Sequence, residues 1–207
     1  MSAVSAHSAE SRNRILNEAN RLFIEQGYHR LSMRQIAESA GISKAGIYHH
    51  FKDKESLFLA VLTDCLEKLE IVITEAEQTD GTIKDKISVM VHRILNLPPR
   101  QRAIIRLASQ EMGHITKSSQ LSFNKIYHQK FIGRMAGLLA QGIATGEFQS
   151  IEPMTMTWAL LGLMYPYLYP SHADFGTTPE MINQLLNIFF YGVATQEKFI
   201  KEGTTLS

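Results

Sequence analysis

The chain is predicted to be all-α: three closely spaced helices ending in a helix-turn-helix, then a body of six helices. Three observations predict this. Apolar residues recur at helical spacing along most of the sequence, and no segment alternates persuasively as a strand would. Helix start and stop signals also follow one another tightly within the first fifty residues.

Taken in order, Met1 to Ala9 is small, polar and irregular, and is expected to be a loose tail. Ile15, Ala19, Leu22 and Phe23 then form one apolar stripe on a helix of about four turns, which Gly27 is placed to end. Ser32 with Gln35 reads as a capping box, and Leu31 with Ile36 as its hydrophobic staple. The second helix buries Ile36, Ala37 and Ala40 and stops near Gly41. Ser43 caps a third, with Ile42 and Ile47 as a second staple and Ile47 and Phe51 on one face. Only Gly41-Ile42-Ser43 separates the two helices, so they must cross steeply, and Ala37, Ala40 and Gly41 are small enough to allow it.

The outward face of the third helix carries Lys44, Ala45, Gly46, Tyr48 and His49. A helix entering the major groove presents small residues where its backbone nears the bases, and Ala45 and Gly46 lie at the end that does so. Ser32 and Ser43 mark helix N-termini whose amides can hold phosphates. A plain helical hairpin with a solvated face has the same periodicity. It gives no reason, however, for a mid-helix glycine costing about 1 kcal/mol against alanine, whereas close approach to DNA does.

The segment Leu31 to Leu57, LSMRQIAESAGISKAGIYHHFKDKESL, resembles the DNA-binding region of the TetR family of bacterial regulators. The resemblance rests on Ile36-Ala37, Ala40-Gly41-Ile42-Ser43, Ile47-Tyr48-His49-His50-Phe51, Lys52, Lys54-Glu55 and Leu57, with Ala19, Leu22-Phe23 and Gly27-Tyr28 upstream. It covers about the first quarter of the chain. It implies a three-helix helix-turn-helix DNA-binding domain, here residues 9–52, followed by a divergent six-helix effector-binding and dimerisation domain, here 53–203. It also implies that Ile47 and Phe51 are core and that Tyr48 and Lys54 meet the phosphate backbone. Lys44, Ala45 and His49 would then face base edges or nearby phosphates. Gly46 departs from the pattern, which often has threonine or a small polar residue there.

Charge distribution fits a polyanion at one end. Residues 1–52 carry a net +3 and the remainder −2, within a total of +1. Cys65 is the only cysteine, which excludes an intramolecular disulfide framework or a cysteine-rich zinc site. The most apolar window, Trp158 to Tyr169, is interrupted by Pro166 and is shorter than the roughly 20 residues of a bilayer span. No membrane contact is expected, and a soluble cytoplasmic location is. Glycine-rich phosphate loops, HExxH and nucleophile elbows are absent, so the chain is not expected to be an enzyme. The eight histidines show no metal-ligand spacing, and neither a metal nor any other cofactor is expected.

Asp53 is expected to cap a long helix reaching about Ala76, which leaves the DNA-binding unit with no linker. Thr82 with Asp85 starts another helix, ending before Pro98-Pro99. Pro99 opens the next, with Ile104, Leu107 and Ala108 on its inner face. Gly113 to Gln120 reads as a polar connection, followed by one long helix from Phe123 to about Gly146. Pro153 and Pro179 open the last two, the final one reaching about Lys201.

Met90, Ile94, Leu107, Phe123, Tyr127, Phe131, Trp158 and Tyr165 supply apolar and amphipathic surface for a small hydrophobic or aromatic effector. Filling the core is the plainer role for any one of them. Leu160, Met164, Met181, Leu185, Leu186, Phe189, Phe190 and Val193 give the last two helices more apolar surface than one stripe needs. They are expected to pair with a second copy about a two-fold axis. Two functions fit: a homodimeric repressor released from palindromic double-stranded DNA by its effector, or a helical dimer serving as a protein-interaction module.

Overall fold

A computed structural model describes residues 3–98, 101–102, 107, 110–168 and 178–192, with side chains from residue 7. Among them there is helix and no strand. The elements are α1 (Ala3–Gln26), α2 (Met33–Ser39), α3 (Lys44–His50), α4 (Lys54–Glu77), α5 (Ile83–Leu95), α6 (Lys117–Tyr127), α7 (Gly133–Ala144), α8 (Pro153–Met164) and α9 (Pro179–Tyr191). Two single turns of 3₁₀ helix, Met112–His114 and Tyr165–Leu168, flank this set on either side of α6–α8.

The start signals act where the sequence places them. Asp53 accepts from the Ser56 amide at 2.7 Å while the Ser56 hydroxyl receives the Asp53 amide, closing a capping box on α4. Thr82 and Asp85 do the same for α5. The α5 N-terminus also receives help from far along the chain: the Glu147 carboxylate accepts from the amides of Ile83 at 3.0 Å and Lys84 at 3.2 Å. Those bonds hold its carboxyl below the usual carboxylate range.

Three expectations need correction. α1 begins at Ala3, so the stretch expected as a loose tail through Ala9 is helical; Ala, Ser and Glu sustain a helix there without an apolar stripe. The polar connection is shorter than Gly113 to Gln120, because Thr116 caps α6, accepting from the Ser119 amide. The long helix that follows is interrupted by a π-helical turn, His128–Ile132, which joins α6 to α7 as one rod. Ile104, Ala108, Val193 and the final helix beyond Gly192 lie outside the described residues.

α4 is the spine. Its N-terminal half packs on α1, with Phe58 edge-on to Phe23 at 5.1 Å; its C-terminal half packs on α5 and on the π turn. Leu57, Leu62 and Ile73 are fully buried along it. The rod is tied to α4 by polar links on its flank, Lys130 to Glu70 at 2.6 Å and Arg134 to Glu77 and to the Thr74 hydroxyl. Cys65 is buried in the same helix, its thiol pushed up to about 11 by desolvation, as an inert core thiol should be.

Candidate nucleic-acid interface

α2 and α3 owe their crossing to a short turn. Gly41 adopts φ +63°, and Ile42 N–H donates to Ala37 O at 2.9 Å. Behind the turn, Ile36 and Ile47 are fully buried and Phe51 nearly so. Ser32 accepts from the Gln35 amide at 3.3 Å, with Gln35 reaching back to the Ser32 amide at 2.9 Å. Ser43 accepts from the Gly46 amide at 3.0 Å. Fixed in this way, α3 turns Lys44, Ala45, Tyr48 and His49 to solvent, with Tyr48 46% exposed.

Gly46 has a reason within the fold. A Cβ there would lie 2.7 Å from Ile42 Cγ2 and 3.2 Å from Ser43 Oγ, so a side chain at this position requires Ile42 to shift.

The three-helix head is also the basic part of the chain. Of the acidic residues in 1–52, Glu18 and Glu25 pair with Arg21, and Glu38 with Arg34. Arg12, Arg14, Arg30, Lys44 and Lys52 remain, against Glu10 and the second carboxylate on Arg21, for a net +3. The Arg12 guanidinium lies 5.5 Å from the Phe51 ring centre, at the end of α3. Burial, with the charges of His49 and Arg12, lowers the pKa of His50.

Lys54 departs from its expected place. Its ammonium donates to Tyr28 O and to Leu31 O, each at 2.9 Å. Two of three donors are thus turned inward to the loop before α2, and burial lowers its pKa. At most one donor remains for a phosphate.

Within the body, Met90, Ile94, Leu107, Phe123 and Phe131 are buried together. Tyr127 lies between two of them, stacked on Phe123 at 6.0 Å and tilted against Phe131 at 5.4 Å. Desolvation pushes its phenol pKa well up, and among the described residues no hydrogen bond engages its hydroxyl. Trp158 and Tyr165 are not part of this cluster: they face outward, 55% and 36% exposed. The residues expected at the dimer contact are corrected in the opposite sense. Leu160 and Met164 are fully buried inside the protomer, and Leu185 and Leu186 almost so. Met181, Phe189 and Phe190 are half-buried against the core. The apolar side chains that α8, α9 and the adjoining turn leave outside are Trp158, Tyr165, Ile188 and Tyr191.

No helix among the described residues is long and apolar enough to cross a membrane, and no three potential metal ligands converge there.

A capped, steeply crossed helix pair on a basic three-helix head, continuous with a helical body, defines a helix-turn-helix protein. Residues 15–61, about the first quarter of the chain, match the family model described as "Bacterial regulatory proteins, tetR family". It is 42% identical over 78 residues to the HTH-type transcriptional repressor AcnR of Corynebacterium glutamicum, covering 36% of this chain and 42% of that protein. The chain spans about two-fifths of the length of such curated relatives.

Solved structures extend the likeness over the body. FadR from Bacillus subtilis, in complex with stearoyl-CoA, matches with a TM-score of 0.73 at 18% identity, covering 87% of this chain and 98% of that one. AibR, in complex with isovaleryl coenzyme A and operator DNA, matches with a TM-score of 0.73 at 19% identity and the same coverage. At such identity the likeness is one of fold.

Proposed function

We propose that this chain is a homodimeric transcriptional repressor that binds DNA through α3 and is released by a small hydrophobic effector held in the body. One observation carries the DNA reading: α3 offers an unobstructed face of Lys44, Ala45, Tyr48 and His49 on a helix pinned by its own cap and core. Tyr48 and Lys44 reach the phosphate backbone and groove edge, His49 the next base step, and Ala45 and Gly46 let the helix lie close. The amides capped by Ser32 and Ser43 add phosphate contacts.

The dimer forms through the outer faces of α8 and α9. Trp158 and Tyr165 are seven residues apart, two turns along one side, and Ile188 and Tyr191 are neighbours on α9. Exposed large apolar side chains grouped on two adjacent helices mark a contact surface. A two-fold axis through it would set two heads on successive major-groove faces of a palindrome.

The effector lies beside Tyr127, where Met90, Phe123 and Phe131 supply apolar walls and the phenol a polar anchor. The AibR and FadR complexes make acyl-coenzyme A thioesters the first ligands to try. The experiment is a fluorescence-anisotropy titration of the full chain on a duplex from its own upstream DNA, over a salt series, with and without stearoyl-CoA or isovaleryl-CoA. Salt-dependent, sequence-selective binding weakened by either thioester supports the proposal. Binding with no sequence preference would remove the repressor reading. Indifference to a broad panel of apolar ligands would remove the effector.

A further inference from the structure

The first turn of α4 holds the head with one residue and the body with the next. Lys54 grips the carbonyls of Tyr28 and Leu31, and Leu31 immediately precedes Ser32, the cap of α2. Glu55 points the other way, to the start of α6, 61 residues further along the chain. Its carboxylate accepts from the Thr116 hydroxyl at 2.6 Å, the Thr116 amide at 3.3 Å and the Ser119 hydroxyl. Three donors at one helix N-terminus suit a carboxylate, which the helix dipole also favours there. They hold the Glu55 carboxyl below its ordinary range, the Ser119 bond contributing most and Thr116 next.

α6 is also the helix of the aromatic ladder. Phe123 lies one turn beyond Ser119, and Tyr127 one turn beyond Phe123, stacked on it. The route from the Tyr127 site to the cap of α2 therefore consists of stacked rings, one helix, the Glu55 bonds, one peptide link and the Lys54 bonds. A second link between head and body lies beside it: the His29 and His114 rings meet edge to face at 4.1 Å. That contact is a ring edge against a ring face, whereas Glu55 is a directed tie, through three hydrogen bonds, that resists both rotation and withdrawal of α6.

We infer that Glu55 is the positioning residue through which α6 and the reading head sense one another. The inference rests on the proposed function, since it gives the effector site its connection to DNA. An effector that shifts α6 pulls Glu55, and with it the first turn of α4 and the loop ending at Ser32. Linkage requires the reverse as well: DNA held by the head must be felt at the start of α6. This allows a test without a known effector.

The test is hydrogen exchange of the full chain, free and saturated with a duplex of its own upstream DNA. The unmodified protein should slow exchange over residues 117–122 by at least about fivefold on binding DNA, within the usual range of coupling between sites. Glu55→Ala should abolish that slowing while binding the duplex within about threefold. Thr116→Val with Ser119→Ala cuts the same tie from the body side and should do likewise, so a folding defect in either variant alone cannot decide the matter. Equal slowing in the variants, or none in the unmodified protein despite bound duplex, would overturn the role of Glu55 and leave the proposed function intact. Failure of the unmodified protein to bind the duplex would overturn both.

Discussion

The ammonium of Lys54 sits 4.3 Å from the centre of the Tyr28 ring while donating to that residue's own carbonyl. One side chain therefore closes the loop between α1 and α2 by a charge-assisted hydrogen bond and a cation–π contact at once. Lys54→Ala should lower stability by about 1.5–3 kcal/mol, the range for a hydrogen bond to a charged group, with urea unfolding as the measurement. The salt dependence of DNA binding should flatten by at most about one phosphate contact. Unchanged stability would show that the clamp contributes nothing.

Gly46 offers a test of turn sterics against DNA approach. Alanine is the better helix former by about 1 kcal/mol, yet its Cβ would meet Ile42 Cγ2 at 2.7 Å. Gly46→Ala should therefore destabilise the head by about 1–3 kcal/mol, as overpacking does. In an Ile42→Ala background the same change should cost less, since the obstructing methyl has gone. A destabilisation that is identical in both backgrounds would rule out this contact as the cause.

The outer face of α8 and α9 separates assembly from folding. Trp158→Glu with Ile188→Glu should yield folded, helical monomers of 23.4 kDa in place of a dimer of about twice that mass. Leu186→Glu, which buries a charge in the protomer core, should unfold the body instead. Sedimentation equilibrium with circular dichroism distinguishes the two. A double variant that remains dimeric would move the interface elsewhere.

Glu147 makes stability depend on acidity in a predictable direction. Its carboxyl is held low in the folded chain, chiefly by the Ile83 amide. The contribution is therefore in place above the unfolded value near 4.5 and lost as pH falls through the lower folded value. The melting temperature of Glu147→Ala should trail that of the unmodified protein at pH 7, and the gap should close as pH falls below the ordinary carboxylate range. A gap independent of pH would mean that the carboxylate's charge is not what caps α5.

How much was legible in the sequence follows from how local each interaction is. The caps at Ser32, Ser43, Asp53 and Thr82 join residues three apart, so their signals lie within one turn. The Phe123–Tyr127–Phe131 ladder has a spacing of four and was equally plain. α8 was not: Leu160, Leu161, Leu163 and Met164 make it apolar on nearly every side, so periodicity could not say that Trp158 faces outward and Leu160 inward. The same ambiguity sent Leu185 and Leu186 to the surface and Tyr165 to the interior. Glu55 had no readable role, because its partners lie 61 and 64 residues away and only the folded chain brings them together. The carbonyl partners of Lys54 were unreadable for a similar reason, being set by the path of a loop.

Because α4 is both the last support of the head and the spine of the body, the junction between them has no hinge but a phase. Inserting one residue after the first turn of α4 would rotate the head by about 100° and carry it about 1.5 Å along the helix axis. Phe58 would be turned away from Phe23, and the two heads of the proposed dimer would no longer face one stretch of duplex. Seven residues would bring the head back to within about 20° of its original direction, some 10 Å further out. Grafting this head onto another helical body is accordingly a matter of counting residues modulo the helix turn, and the spacing of half-sites that such a chimera could read would change with the count.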